Sequence, residues 1–240
     1  MEAYAYGLRA LRGRTDYAGD FGSGMVLLTA PDGQICRILH NCGNTVVFVQ
    51  AERLEKLTAY LSKIDLVREL QNPEFCQQLL GLFGLDPAVY VMEPEDELVE
   101  ARDYPCSHIV EFTCSRETFI PFLSDVYVTE IHRGNKDYMQ EEPFYDTMYG
   151  VYDGDRVVAD SSFRPNVGEF AGTYALQVYT RPEARGQGYA TAVASAATHE
   201  ICRKSGLALW VCQIENVKSA KIAQRLGYAF LGGEIRINEP

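Results

Sequence analysis

The sequence predicts an α/β (α+β) fold in two parts: a mixed central sheet flanked by helices in the C-terminal part, with an N-terminal α/β part before it. Three observations predict it. Short β-rich runs alternate with amphipathic helical stretches in both halves. Hydrophobic residues make up 47% of the 240 residues, enough to build substantial cores. Between the halves, Glu93-Pro94-Glu95-Asp96-Glu97-Leu98-Val99-Glu100-Ala101-Arg102-Asp103-Tyr104-Pro105 sets a run of carboxylates against one arginine. Such a stretch, held between prolines, reads as an exposed connection, and it divides the chain into 1–105 and 106–240.

In the first part, Met25–Thr29, Ile35–Leu39 and Val46–Gln50 read as strands, with Pro31-Asp32-Gly33 and Asn41-Cys42-Gly43-Asn44 as turns. Ala51–Ile64 follows as a helix with Leu54, Leu57 and Leu61 on one face. A second helix is capped by Asn72, starts at Pro73, runs to Phe83 and stops at Gly84. No catalytic motif occurs in this part.

In the second part, the apolar spacing from Phe119 predicts a helix to His132, with Pro121 in its first turn. Met148–Tyr152, the turn Asp153-Gly154-Asp155 and Arg156–Phe163 make a hairpin, and Tyr174–Thr180 a further strand. A helix from Tyr189 to Lys204 carries Ala190, Val193, Ala194, Ala197 and Ile201 on one face, with Arg203 and Lys204 suiting the dipole and Gly206 ending it. Leu207–Cys212 is a buried-type strand, Asn216 caps a last helix that ends at Gly227, and Ala229–Ile237 is the last strand. With one strand after the last helix, the sheet edge is expected to be completed by the N-terminal half or by a second copy in a homodimer.

The net charge of −11 gives no electrostatic footprint for nucleic acid or an anionic membrane, so neither is expected as a partner. The start, Met1 to Tyr6, lacks a secretory pattern, and no apolar run approaches a membrane span. Cysteines 36, 42, 76, 106, 114, 202 and 212 show no C-x-x-C pair, and reduced thiols in a cytoplasm are the economical expectation. The histidines (40, 108, 132 and 199) are isolated, so no metal is expected.

The chemistry concentrates in Thr180-Arg181-Pro182-Glu183-Ala184-Arg185-Gly186-Gln187-Gly188-Tyr189-Ala190, where a strand passes through a glycine-containing turn into a helix. A helix N-terminus offers free N–H groups and partial positive charge, glycines clear the approach, and Arg185 adds a guanidinium suited to phosphate. A dinucleotide fingerprint fits poorly: Thr191 stands at the third glycine and no acid follows where a ribose needs one. A Walker A loop is missing its Gly-Lys-Ser/Thr ending. A turn that binds nothing remains the plain alternative for this loop alone.

Downstream, Asn216-Val217-Lys218-Ser219 and Leu226-Gly227-Tyr228 decide between them. Arg185, Gly188 and Ala190 match Gln/Arg-x-x-Gly-x-Gly/Ala, and the later segments match Asn-x-x-Ser/Ala ending in Leu-Gly-Phe. Over residues 145–237 the chain resembles the GNAT family of acyl-CoA N-acyltransferases. The resemblance implies a GNAT fold and an N-acetyltransferase that uses acetyl-CoA, with no metal. It places the pyrophosphate on Arg185, Gly186, Gln187, Gly188, Tyr189 and Ala190. It lays the pantetheine arm along Val178, Tyr179 and Thr180, and brings Asn216 and Ser219 close to the cofactor. It further implies a splay between Tyr174–Thr180 and Leu207–Cys212 that receives the thioester.

The implied reaction is direct attack by an amine of a small molecule or peptide, helped by proximity and by a backbone N–H near Val178. The family's carboxylate base would fall near Tyr174 and its tyrosine acid at Ala223, and neither residue serves. Glu169 is the nearest acid and is the expected base, acting through water. Tyr228, Trp210 and Cys212 read as core, and His199 as exposed. The missing acid and base also motivate a second class, a degenerate acyl-CoA-binding domain with a regulatory or interaction role.

Overall fold

The computed structural model of the chain describes residues 17–20, 25–41, 43–90, 105–132, 147–166, 171–204 and 206–239. The chain forms two units. One takes in residues 1–110, 212–216 and 231–240, and the other 111–211 and 217–230. The acidic connection Glu93–Pro105 lies almost wholly outside the described residues.

In the first unit, β1 (Tyr17–Asp20) pairs antiparallel with β2 (Met25–Thr29), and β2 runs parallel to β4 (Asn44–Val49). β3 (Gln34–Asn41) lies antiparallel to β4. On its other edge β3 pairs antiparallel with β11 (Ala229–Asn238), from Gly232↔Asn41 to Asn238↔Gln34. The C-terminal strand thus closes against the N-terminal half, one of the two closures expected from the sequence. Val46, Val47, Phe48 and Val49 are all buried, as befits a strand covered on both faces.

The expected helix Ala51–Ile64 is a 3-10 turn, Ala51–Arg53, followed by α1 (Leu54–Leu61), which buries Leu57 and Leu61. A short α2 (Leu66–Glu69) leads to α3 (Phe75–Phe83), which Gly84 ends in the left-handed conformation at φ 69°. α3 starts two residues after Pro73, but Asn72 still holds its approach, accepting the Glu74 N–H at 3.1 Å. β5 (Cys106–Cys114) has no counterpart in the sequence reading. In this unit Cys76 and Cys106 form a disulfide, which corrects the expectation of reduced thiols for that pair. Cys36, Cys114 and Cys202 are free thiols.

In the second unit, β6 (Thr129–His132), β7 (Thr147–Asp153), β8 (Arg156–Pro165) and β9 (Thr173–Thr180) form an antiparallel ladder. β10 (Leu207–Gln213) joins β9 in parallel. The β9–β10 crossover is α4 (Tyr189–Arg203), which buries Val193, Ala194, Ala197 and Ile201 as its periodicity predicts. α5 (Val217–Arg225) follows, and Gly227 ends it at φ 83°. A Cβ there would overlap the Thr118 carbonyl oxygen, so the residue has to be glycine.

The helix expected over Phe119–His132 does not form. Residues 119–128 are irregular and the strand β6 follows. Two backbone donors of this segment go to neighbouring elements instead of back along a helix. Ile120 donates to the Leu226 carbonyl at 3.0 Å, and Phe122 donates to the Ser195 hydroxyl at 3.0 Å. The Phe122 ring lies under the Arg225 guanidinium (4.4 Å) and against Gly188, where α4 begins. Among the described residues no helix is long and apolar enough to cross a membrane.

Candidate acyl-CoA site

β9 and β10 separate along their length. Their pairing covers Thr173↔Leu207, Tyr174↔Ala208 and Ala175↔Leu209 and stops there, while β9 stays paired with β8 as far as Thr180. The Arg181 N–H reaches the Val158 carbonyl and the Thr173 carbonyl accepts from Asn166, each at 2.9 Å, both on the β8 side. Peptide groups along a strand alternate in direction. The N–H and C=O groups of Leu176, Val178 and Thr180 therefore point to the other edge, where β10 has left. At the end of that edge the Thr180 carbonyl accepts Arg185 Nε at 3.2 Å, and the buried Thr180 hydroxyl has no hydrogen-bond partner among the described residues.

The loop after β9 continues this edge. A short 3-10 turn, Pro182–Ala184, delivers the chain to Arg185, and Gly186 and Gly188 take φ 82° and 81°. Turns of this kind form concavities of backbone N–H groups that receive anions. Gly188 is also the N-cap of α4 and brings no capping side chain. Among the described residues, none of the backbone N–H groups of Gly186, Gln187, Gly188, Tyr189 and Ala190 has a protein acceptor. Arg185, Gly186 and Gln187 are exposed, so the row is open to a ligand.

These observations fit an acyl-CoA: unsatisfied donors and a guanidinium for its phosphates, joined to an open strand edge for its amide-bearing arm. Ser219, on the first turn of α5, accepts the Trp210 indole N–H at 2.9 Å. Asn216 directly precedes α5, and its N–H bonds to the Gln213 carbonyl at 3.0 Å. Among the described residues no group of three His, Cys, Asp or Glu side chains could hold a metal ion.

Of the three residues read as core, Trp210 and Tyr228 are core and Cys212 is not. Trp210 is buried, and Tyr228 is buried with its phenol 2.8 Å from the Thr198 hydroxyl. Burial pushes the Tyr228 phenol far above its ordinary pKa, which keeps it protonated. Cys212 is half-buried, and His199 is exposed, as expected. Glu169 lies outside the described residues.

One titratable residue of this unit was missed by sequence reasoning. Asp160, in the middle of β8, is only 7% exposed, and burial lifts its carboxyl from 3.8 to about 6, with Arg181 opposing. The signal was present: a single acid inside Val157-Val158-Ala159-Asp160-Ser161-Ser162-Phe163, a run otherwise suited to a buried strand.

A family model described as GNAT acetyltransferase matches residues 148–232. No curated protein matches the chain. Among solved structures, an acetyltransferase of the GNAT family from Novosphingobium aromaticivorans is 15% identical, with 55% of this chain and 63% of that one covered and a TM-score of 0.44. A GCN5-related N-acetyltransferase-like protein from Streptococcus suis is 16% identical, with 53% and 61% covered and a TM-score of 0.41. This chain thus spans less than two thirds of either protein. A GCN5-related N-acetyltransferase from Sphaerobacter thermophilus is 15% identical, with 98% of this chain and 85% of that one covered and a TM-score of 0.46.

Proposed function

We propose, from the match of residues 148–232 to the GNAT acetyltransferase family model, that the chain transfers an acetyl group from acetyl-CoA to a primary amine of a small molecule or peptide. The observation that carries this reading is the row of N–H groups from Gly186 to Ala190 without protein acceptors, continuous with the open edge of β9. Acetyl-CoA supplies an activated thioester; the rest of the chemistry belongs to the protein. The row and Arg185 bind the pyrophosphate. The edge groups of Val178 and Thr180 bind the pantetheine amides, beside Tyr179. The Val178 N–H is placed to stabilise the carbonyl oxygen as negative charge develops on it. Asn216 and Ser219 border the cofactor.

The amine has to be neutral to attack. At neutral pH that costs about 4.6 kcal/mol for a lysine-like amine and about 1 kcal/mol for an α-amine. A proton acceptor is therefore valuable for the first and dispensable for the second. Glu169 is the acceptor proposed from the sequence. The division into 1–105 and a catalytic 106–240, the absence of nucleic-acid and membrane partners, and a cytoplasmic location belong to the same proposal. The Cys76–Cys106 disulfide bears against that location, because such bonds are uncommon in reducing compartments.

The competing reading, an acyl-CoA-binding domain without turnover, is favoured by Ala223 standing where the family's tyrosine would. Release of free thiol from acetyl-CoA, followed over α-amines, polyamines, aminoglycosides and lysine peptides, separates the two. Turnover with any acceptor supports the enzyme; binding without turnover across the panel supports the binding domain.

A further inference from the structure

We propose that Asp160 is the proton acceptor for the substrate amine, an assignment that rests on the acetyltransferase reading. Its place in the sheet follows from register. Ser161 pairs with Tyr149 on β7 and with Val178 on β9, and Phe163, on the same face, lies 5.1 Å from the Lys204 ammonium after the end of α4. That face is covered by α4. Asp160 alternates to the opposite face, where its partners are Gly150 on β7 and Tyr179 on β9. Tyr179 adjoins Val178, the residue whose N–H faces the open edge. The carboxyl thus stands one strand from the proposed thioester position, on the face that α4 leaves free.

Structural work does not account for this carboxyl. It is buried, yet no hydrogen bond or ion pair reaches it among the described residues. Two residues along the same face, the fully buried Ser162 hydroxyl also has no partner among the described residues. Two buried polar groups side by side without protein partners are a costly arrangement in a strand, and chains retain such groups where a ligand or bound water meets them. Other polar groups on this face include Gln177 and Tyr179 on β9, Arg181 after it, Arg164 on β8, Thr129 on β6 and Tyr152 on β7. Arg164 and Arg181 are the charged members of this set, and Arg181 opposes the upward shift that burial imposes on the Asp160 carboxyl.

In the step, a proton moves from the substrate ammonium nitrogen to an Asp160 oxygen, directly or through one water. The freed lone pair forms the C–N bond at the thioester carbon, the C–S bond breaks, and the thiolate takes the second nitrogen proton. Asp160 then returns its proton to solvent, so that amine and thioester give amide and thiol.

The experiment uses the full chain and the amine panel above, comparing wild type with Asp160→Asn, Asp160→Glu and Glu169→Gln. Asp160→Asn is expected to lower kcat/KM by about 100-fold and to remove its acid limb near pH 6, with acetyl-CoA affinity unchanged. Asp160→Glu, which keeps a carboxyl, is expected to retain the limb. Unchanged kcat/KM and limb in Asp160→Asn, or loss of the limb in Glu169→Gln instead, would overturn the assignment alone. Wild type without turnover on every amine would overturn the acetyltransferase reading, and the assignment with it.

Discussion

Replacing Asp160 by asparagine tests the burial of this carboxyl without any substrate. Its pKa rises from 3.8 in the unfolded chain to about 6 in the fold. Between those values the native state binds more protons than the unfolded state, so stability falls as pH rises through that window. The full cost of the buried charge applies above pH 6 and vanishes below 3.8. At 1.36 kcal/mol for each unit, the cost is about 3 kcal/mol. Asparagine cannot ionise. Its buried amide carries its own desolvation penalty of about 1–3 kcal/mol, but that penalty is the same at every pH. Urea denaturation of both proteins from about pH 7.5 to about pH 4 reads the difference. Relative to wild type, Asp160→Asn should be about 3 kcal/mol better off at the neutral end than at the acid end. A difference between the two proteins that does not change with pH would mean that the Asp160 carboxyl is not shifted by burial.

Other perturbations test single features. Gly227→Ala forces a side chain into a left-handed residue beside the Thr118 carbonyl, and should cost at least about 1–2 kcal/mol in urea denaturation; a neutral result would discredit that close approach. Thr198→Val leaves the Tyr228 phenol without its partner and should cost about 1–3 kcal/mol. Combined with Tyr228→Phe it should cost less than the sum, and strict additivity would count against the hydrogen bond. Burial holds the His108 imidazole down at about 4, from 6.5, while its Nε2–H bonds to the Leu70 carbonyl. The unfolded chain therefore takes up the proton first, and stability is lost as pH falls from 6.5 through about 4. His108→Gln should flatten that acid slope, and an unchanged slope would assign it to other groups.

The parts legible in the sequence are those whose signals are local. Met25–Thr29 appears as read, because a short apolar run between turn residues leaves few choices. Tyr189–Arg203 matches because small apolar residues recur with helical period between Gly188 and Gly206. The turn at Gly186 and Gly188 was legible because a glycine's freedom to take positive φ depends on the chain's own backbone. The failure at Phe119–His132 has the opposite cause. Phe119, Phe122, Leu123 and Val126 mimic a helical stripe, yet Leu123 is 90% exposed and the Ile120 and Phe122 donors go to Leu226 and Ser195, more than seventy residues away in sequence. Nothing local encodes that. The Cys76–Cys106 disulfide lacks a motif for the same reason. Asp160 was visible as a residue but not as a site, since its meaning depends on which strand stands beside it.

The central claim is that an acyl-CoA lies on the Gly186–Ala190 row with its phosphates against Arg185. Unfolding of wild type and of Arg185→Glu, with and without acetyl-CoA, tests it most directly, because Arg185 is exposed and its replacement leaves the core untouched. At about 100 times the dissociation constant, acetyl-CoA should stabilise wild type by about 2.7 kcal/mol and, at the same concentration, leave Arg185→Glu nearly unchanged. Equal stabilisation of both proteins, or none of wild type, would contradict it.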